Sequence, residues 1–296
     1  MITHLRLKAY GKINLALDVL RKREDGYHDV RMIMQTVGIY DQVELQVKPD
    51  PGITVETNLT YLPVNENNLV YQAANLLMEE CSIKKGLHIK LRKFLPVAAG
   101  MAGGSSDAAA VLFGVNKIFQ LGLSKEALME RGVKIGADVP YCVLRGTALS
   151  EGIGEKLTPL PPMPQCQVVI AKPGISVSTR YVYENLHANQ LSPDQHPDID
   201  GMIEAIRNQD LLQVAGKFGN VLELVTAEKY PVIEQIKQVM RKKGGLNALM
   251  SGSGPTVFGL FADPEAAKDA YEELRYGASS KFAKQVYITN FYNARE

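Results

Sequence analysis

The chain has 296 residues, 46% hydrophobic and 22% charged, with 33 basic against 32 acidic side chains. This is an ordinary globular mix, with core enough for one large domain or two medium ones, and the charge balance argues against a nucleic-acid surface, which leaves a basic excess. No run of about 18 apolar residues occurs, so no membrane span is expected.

At the N-terminus Leu5, Leu7 and Ala9 alternate with Arg6, Lys8 and Tyr10, which predicts a strand, and residues 13–20 continue in mostly apolar side chains. Lys8 and Lys12 interrupt the stretch, so it is not a signal-peptide core. Residues 21–26 form a charged turn, and residues 32–39 and 43–47 predict two further strands. The first clear helix is 68–81: Leu69, Ala73, Leu77 and Cys81 make one ridge, and Val70, Ala74 and Met78 a second beside it. Residues 87–91 alternate again as a strand.

That strand leads into Pro96-Val97-Ala98-Ala99-Gly100-Met101-Ala102-Gly103-Gly104-Ser105-Ser106, followed by Asp107 and an alanine run. Glycines let a backbone turn tightly and approach a ligand. Ser105 and Ser106 are N-cap candidates for a helix over 106–119. The amides and dipole of that helix start favour an anion, in first place a phosphate. The segment is not a Walker loop, since no Lys follows the glycine pair. The helix is apolar nearly all round, as expected of one buried in a core.

A second helix is predicted over 124–131, capped by Ser124. Glycines and prolines cluster over 151–164, which places a boundary there and divides the chain into 1–158 and 159–296. Residues 167–171 predict a strand, residues 178–186, 198–207, 211–218 and 231–242 helices. Residues 248–250 and 256–261 flank a glycine turn, residues 264–274 predict a helix and 285–289 a closing strand. The pattern is mixed α and β in both halves. Cys81, Cys142 and Cys166 show neither zinc spacing nor an even disulfide set, so they are expected to be reduced thiols of a cytoplasmic protein.

Three smaller constellations accompany the loop. Lys12 and Asn14 alternate with Ile13 and Leu15, so both polar groups share one strand face; alone, they could be a solvated face. Asp138, in Gly136-Ala137-Asp138-Val139-Pro140, precedes an apolar run and could be a helix cap. Gly26-Tyr27-His28 follows the charged turn and could be a local turn cap. The Ser251-Gly252-Ser253-Gly254-Pro255 turn could be a plain hairpin or a second anion cradle.

Together, Lys12-Ile13-Asn14-Leu15, the 96–106 loop and Ser251–Pro255 resemble the three motifs of the GHMP kinases, in that family's order and over nearly the whole chain. Tyr27-His28, Gly103-Gly104-Ser105-Ser106-Asp107 and Gly136–Pro140 resemble the branch that phosphorylates the 2-hydroxyl of 4-diphosphocytidyl-2-C-methyl-D-erythritol in non-mevalonate isoprenoid biosynthesis. Tyr10-Gly11 stand where the family commonly has Pro-Ala, which loosens the backbone before Lys12. The resemblance implies an α/β (α+β type) architecture. It has an N-terminal ribosomal-S5-like domain, a C-terminal ferredoxin-like domain and an active site in the cleft between them.

It also implies roles. The 96–106 loop would cradle the phosphates of ATP, and Asn68, Leu69 and Lys93 fall where the family contacts adenosine. Asp138 would accept the hydroxyl proton. Lys12 would hold Asp138 ionised and stabilise charge on the transferring phosphoryl group. Asn14 would bind substrate near the hydroxyl, His28 would read the cytosine edge, and Tyr27 and Tyr183 would stack on its ring. Mg2+ is expected with ATP. Ser106 matches a serine that bears on the metal in some relatives, and no carboxylate is identified as its partner. The implied partners are ATP and the cytidyl substrate, with no nucleic acid and no membrane; a monomer and a homodimer both stay open. Three alternatives remain: another small-molecule kinase of the superfamily, a catalytically silent nucleotide-binding sensor, and an α/β protein whose glycine loops only turn the chain. Against the second stands the presence of both Lys12 and Asp138.

Overall fold

The computed structural model describes residues 2–293. In chain order the elements are β1 (His4–Lys22), β2 (His28–Lys48), β3 (Ile53–Thr57), α1 (Leu69–Glu80), β4 (Gly86–Arg92), α2 (Gly103–Ile118), α3 (Lys125–Val133), α4 (Val139–Leu144), β5 (Thr147–Gly152), β6 (Lys156–Pro159) and β7 (Gln167–Lys172). Then follow α5 (Thr179–Asn185), α6 (Ile199–Arg207), α7 (Leu211–Gly216), β8 (Gly219–Asn220), α8 (Leu222–Lys229), α9 (Val232–Lys242), β9 (Asn247–Met250), β10 (Val257–Phe261), α10 (Pro264–Arg275) and β11 (Gln285–Asn290). The contacts define two compact units, neither continuous in sequence.

The first unit holds the chain up to Gly11, Ile39–Val97 and Ala102–Arg145. Its sheet is the early part of β1, the late part of β2, β4 and β3. β2 and β4 run antiparallel from Gln42↔Arg92 to Lys48↔Gly86. β3 runs parallel to β4, with α1 as the crossover. Leu45, Leu87, Ile89 and Leu91 point into the core, where α1 contributes Val70, Ala73, Ala74 and Leu77. Helix α2 is buried along nearly its whole length, from Ser106 to Ile118. Apolar nearly all round, it gives water only a narrow stripe in its second half, at Phe113 and Lys117.

The second unit holds Lys12–Gly38, Ala98–Met101 and the chain from Gly146 onward. Here β2 pairs antiparallel with β5, and β1 pairs parallel with the two-residue β8 through Ala16↔Gly219. A separate four-stranded antiparallel sheet has the order β11-β7-β10-β9. Numbered along the chain, that order is 4-1-3-2, with helices between its first two and last two strands. This is the ferredoxin-like arrangement that the resemblance implied.

The structure departs from the sequence expectations in several places. Residues 32–39 and 43–47 belong to one strand, β2, because Tyr40-Asp41-Gln42 continue the extended chain. Residues 156–159, inside the expected boundary, form β6, an edge strand paired only to β5; an edge tolerates its terminal proline. β3, β5, β8 and α8 were not foreseen. Helix α2 begins at Gly103, so Ser105 and Ser106 lie within it and do not cap it. At Tyr10-Gly11, where looser backbone was expected, β1 runs without interruption, and Tyr10 packs edge-on against Tyr40 with ring centroids 5.3 Å apart.

Candidate active site

In the first unit the glycine-serine segment enters α2 through Ala102, which sits at φ 52°, ψ 32° with no side-chain cap. The left-handed region costs an alanine roughly 1–2 kcal/mol, and such strain persists where its surroundings over-determine it. The first bond of the helix runs from Ser106 N–H to Ala102 O at 2.8 Å. The amides of Gly103, Gly104 and Ser105 therefore have no acceptor within the helix, and they carry its positive end. The Ser106 hydroxyl donates to the Tyr10 carbonyl, fastening the helix start to β1. Gly104 is exposed, and a Cβ there would meet only Leu69 Cδ1, at 3.4 Å.

Leu69 is the first residue of α1. Asn68 caps that helix, accepting from Val70 N–H at 3.1 Å and donating to Pro63 O at 2.7 Å. Lys93, expected near adenosine, has its ammonium turned inward between Asp41 and Asp107. Asp138 occupies the N-cap position of α4 but makes no capping hydrogen bond, so the bland reading of it as a helix cap does not hold. It is half-buried. The turn that carries it lies beside the start of α2: a Cβ on Gly136 would stand 3.9 Å from Ser105 Oγ.

In the second unit Lys12 is buried, at 4% exposure, and its ammonium donates to Asn14 Oδ1 at 2.8 Å. The two share one strand face, as the alternation predicted, but that face is dry. Asn14 is fully buried and its amide nitrogen donates to Met32 Sδ at 3.1 Å. Both ends of the asparagine are thus occupied within the protein, and it orients the lysine. The Lys12 N–H also donates to Met101 O at 3.1 Å.

The Ser251–Pro255 turn is buried, and its polar groups face the protein. Ser251 Oγ donates to Gly100 O at 2.8 Å and accepts from Asn14 N–H at 3.3 Å. Asn220 Nδ2 donates to the carbonyls of Met250 and Gly252, each at 2.8 Å. The turn is a support under residues 98–101 and under Asn14. Gly100 has φ +74°, and a Cβ there would collide with the Ser251 carbonyl. Gly100→Ala is therefore expected to lower stability by roughly 1–3 kcal/mol, read as a fall in the urea midpoint. An unchanged midpoint would show that the 98–101 segment has slack.

His28 and Tyr183 also lie in this unit, ring centroids 5.0 Å apart and tilted by 42°. Tyr27 is 58% exposed beside them in sequence. Partial burial, with the nearby Lys22 charge, holds the His28 pKa below its ordinary value, so the ring is neutral at pH 7 and both donates and accepts.

Sequence reasoning passed over Asp41. Its signal was present: it falls on the buried phase of β2, in register with Val43 and Leu45, where a carboxylate needs a partner. Cys81, Cys142 and Cys166 are free thiols, and burial pushes that of Cys166 up to about 12. Among the described residues no three His, Cys, Asp or Glu side chains group as a metal site, and no helix is long and apolar enough to cross a membrane.

The chain matches the family described as GHMP kinases N terminal domain over residues 68–146 and that described as GHMP kinases C terminal over 186–279. It is 56% identical to a protein of Lachnoclostridium phytofermentans named 4-diphosphocytidyl-2-C-methyl-D-erythritol kinase, over 98% of each chain. To the protein of that name in Lachnospira eligens it is 54% identical, over 97% of this chain and 98% of the other. A crystal structure of 4-(cytidine 5'-diphospho)-2C-methyl-D-erythritol kinase superposes with TM-score 0.80 at 30% identity, covering 98% of this chain and 100% of the other. The homoserine kinase of Cytophaga hutchinsonii shares the fold, with TM-score 0.77 at 19% identity over 99% and 96%.

Proposed function

The chain belongs to the GHMP kinases, in the family of 4-diphosphocytidyl-2-C-methyl-D-erythritol kinases, and from that membership we propose how its own residues divide the reaction. The protein is a small-molecule kinase. It transfers the γ-phosphoryl group of ATP to the 2-hydroxyl of 4-diphosphocytidyl-2-C-methyl-D-erythritol, giving the 2-phosphate and ADP in non-mevalonate isoprenoid biosynthesis. The observation that carries this over a sibling kinase is the identity above half along almost the whole chain.

Phosphoryl transfer is mainly positioning and charge stabilisation. The amides at the start of α2 receive the ATP phosphates, and residues 96–102 lead the chain up to them. Asn68 and Leu69, next to Gly104, meet the adenosine. The substrate oxygen forms its bond to the γ-phosphorus while the bond from that phosphorus to the bridging oxygen breaks, its electron pair leaving with ADP. The hydroxyl proton passes to the Asp138 carboxylate. Lys12, aimed by Asn14, carries the positive charge that offsets charge on the moving phosphoryl group. Mg2+, bound together with ATP, would supply charge neutralisation to the phosphates that the start of α2 holds, and such an ion needs few protein ligands. The described residues offer it no acidic cluster. The division of the chain at 158/159 is supported by the interval between the two family matches. Reduced thiols favour the cytoplasm, and a monomer or homodimer would serve equally.

The test is ADP release with the cytidyl substrate set against mevalonate, homoserine and galactose. Turnover with any of the last three and not the first would overturn the assignment. His28→Ala is expected to raise KM for the cytidyl substrate by roughly tenfold or more, the cost of two lost hydrogen bonds, with KM for ATP unchanged. Since burial and then the Lys22 charge depress the His28 pKa, the ring gains its second proton only at a pH below the ordinary histidine range. KM for the cytidyl substrate should climb there in the parent and stay flat in the variant.

A further inference from the structure

The buried cluster Asp41–Lys93–Asp107 lies within the first unit, under the point where the glycine-serine segment becomes α2. The three side chains are nearly dry, at 0%, 5% and 3% exposure. The Lys93 ammonium donates to Asp41 Oδ2 and, at 2.5 Å, to Asp107 Oδ2. Asp41 Oδ1 accepts the N–H groups of Phe94 and Leu95, at 2.5 and 2.8 Å. Lys93 is pinned through its main chain as well: Asn58 accepts from its N–H at 2.8 Å and donates to its carbonyl at 3.1 Å. A Cβ on Gly103 would stand 3.3 Å from the ammonium and 3.8 Å from Asp41 Oδ2.

One cation thus joins the entry of the segment, Phe94 and Leu95, to its exit, the first turns of α2 at Gly103 and Asp107. Two carboxylates share it, and Asp107 Oδ1 is buried without a hydrogen-bond partner. Burial drives the Asp107 pKa well above the ordinary carboxylate range, even against the pull of Lys93. Burial disfavours the charge on Lys93 too, but Asp107 and Asp41 outweigh it and hold its pKa high. A buried pair of this kind is poor value as a stabiliser, since an apolar set of equal volume would do as well. What it supplies is a fixed geometry.

We propose that Asp41, Lys93 and Asp107 are positioning residues for ATP: the shared ammonium sets the spacing between the two ends of the phosphate segment, and so the aim of the α2 amides. The inference rests on the reading of that segment as the phosphate cradle. Lys93 then serves ATP through the loop it braces, with its ammonium never reaching the nucleotide.

The experiment measures both KM values, kcat and thermal midpoint for Lys93→Met, Asp107→Asn and the double variant. Lys93→Met leaves two carboxylates facing each other without a cation, so KM for ATP should rise roughly tenfold while KM for the cytidyl substrate stays within about twofold. In the double variant one of those charges is gone, and KM for ATP should fall back part of the way. A purely structural cluster would lower the midpoint and leave both KM values in place, and that result, or equal rises in both, overturns the proposal. Should Lys93→Met fail to fold, isosteric Asp107→Asn carries the same test through the KM split. Gly104→Ala, a methyl that fits beside Leu69, is the control: it should raise KM for ATP by itself. If it does so while Lys93→Met and Asp107→Asn do not, the bracing role is wrong and the cradle stands. If it does not, the cradle itself falls.

Discussion

Asp138→Asn is expected to lower kcat by about a hundred- to ten-thousand-fold, the range for removing a general base, with both KM values little changed. The amide keeps the shape of the carboxylate and cannot take the proton. The thermal midpoint, read alongside, separates lost chemistry from lost fold. Steady-state turnover with a melting curve on the same preparation decides it. Turnover within tenfold of the parent would remove Asp138 from the reaction and leave positioning alone to account for the rate.

Lys12→Met should cost about a hundred- to a thousand-fold in kcat, as expected when one preorganised positive group is lost from a charge-developing site. Methionine keeps the buried stem, so the cavity penalty of Lys12→Ala is avoided. Asn14 supplies a second reading of the same site. Its Oδ1 accepts the Lys12 ammonium at 2.8 Å, so Asn14→Ala should lower kcat less than Lys12→Met, and the two together no more than Lys12→Met alone. Additive losses would instead give Asn14 a separate contact with substrate.

Much of this was legible in the residues. The double ridge of α1, the shared face of Lys12 and Asn14, and the glycine segment ahead of a buried helix all follow from period and composition. The start of α2 did not. Ser105 looks like a cap and Ala102 does not, since alanine disfavours a left-handed backbone. That conformation is imposed by the surroundings, which no local window contains. The continuity of β2 was hidden for a related reason. Asp41 interrupts the apolar alternation, and what makes a carboxylate acceptable there is Lys93 with the amides of Phe94 and Leu95, more than fifty residues later. The Ser251 turn read as a possible anion cradle because its partners, Gly100 and Asn14, lie far back in the chain.

The long hairpin of β1 and β2 sets a constraint on how the polypeptide is made. In the second unit Val37 bridges to Phe291 and Ala16 pairs with Gly219, so β1 and β2 need partners that are synthesised more than two hundred residues after them. At roughly 5–20 residues per second of synthesis the wait is on the order of ten seconds or more. During that time Leu15, Ile33 and Val37, each fully buried at the end, have nowhere to go. Such late closure of distant pairs slows folding and invites aggregation. The nascent chain is therefore a natural client for chaperones, and stop codons shortly before β11 should yield insoluble product rather than a smaller folded enzyme.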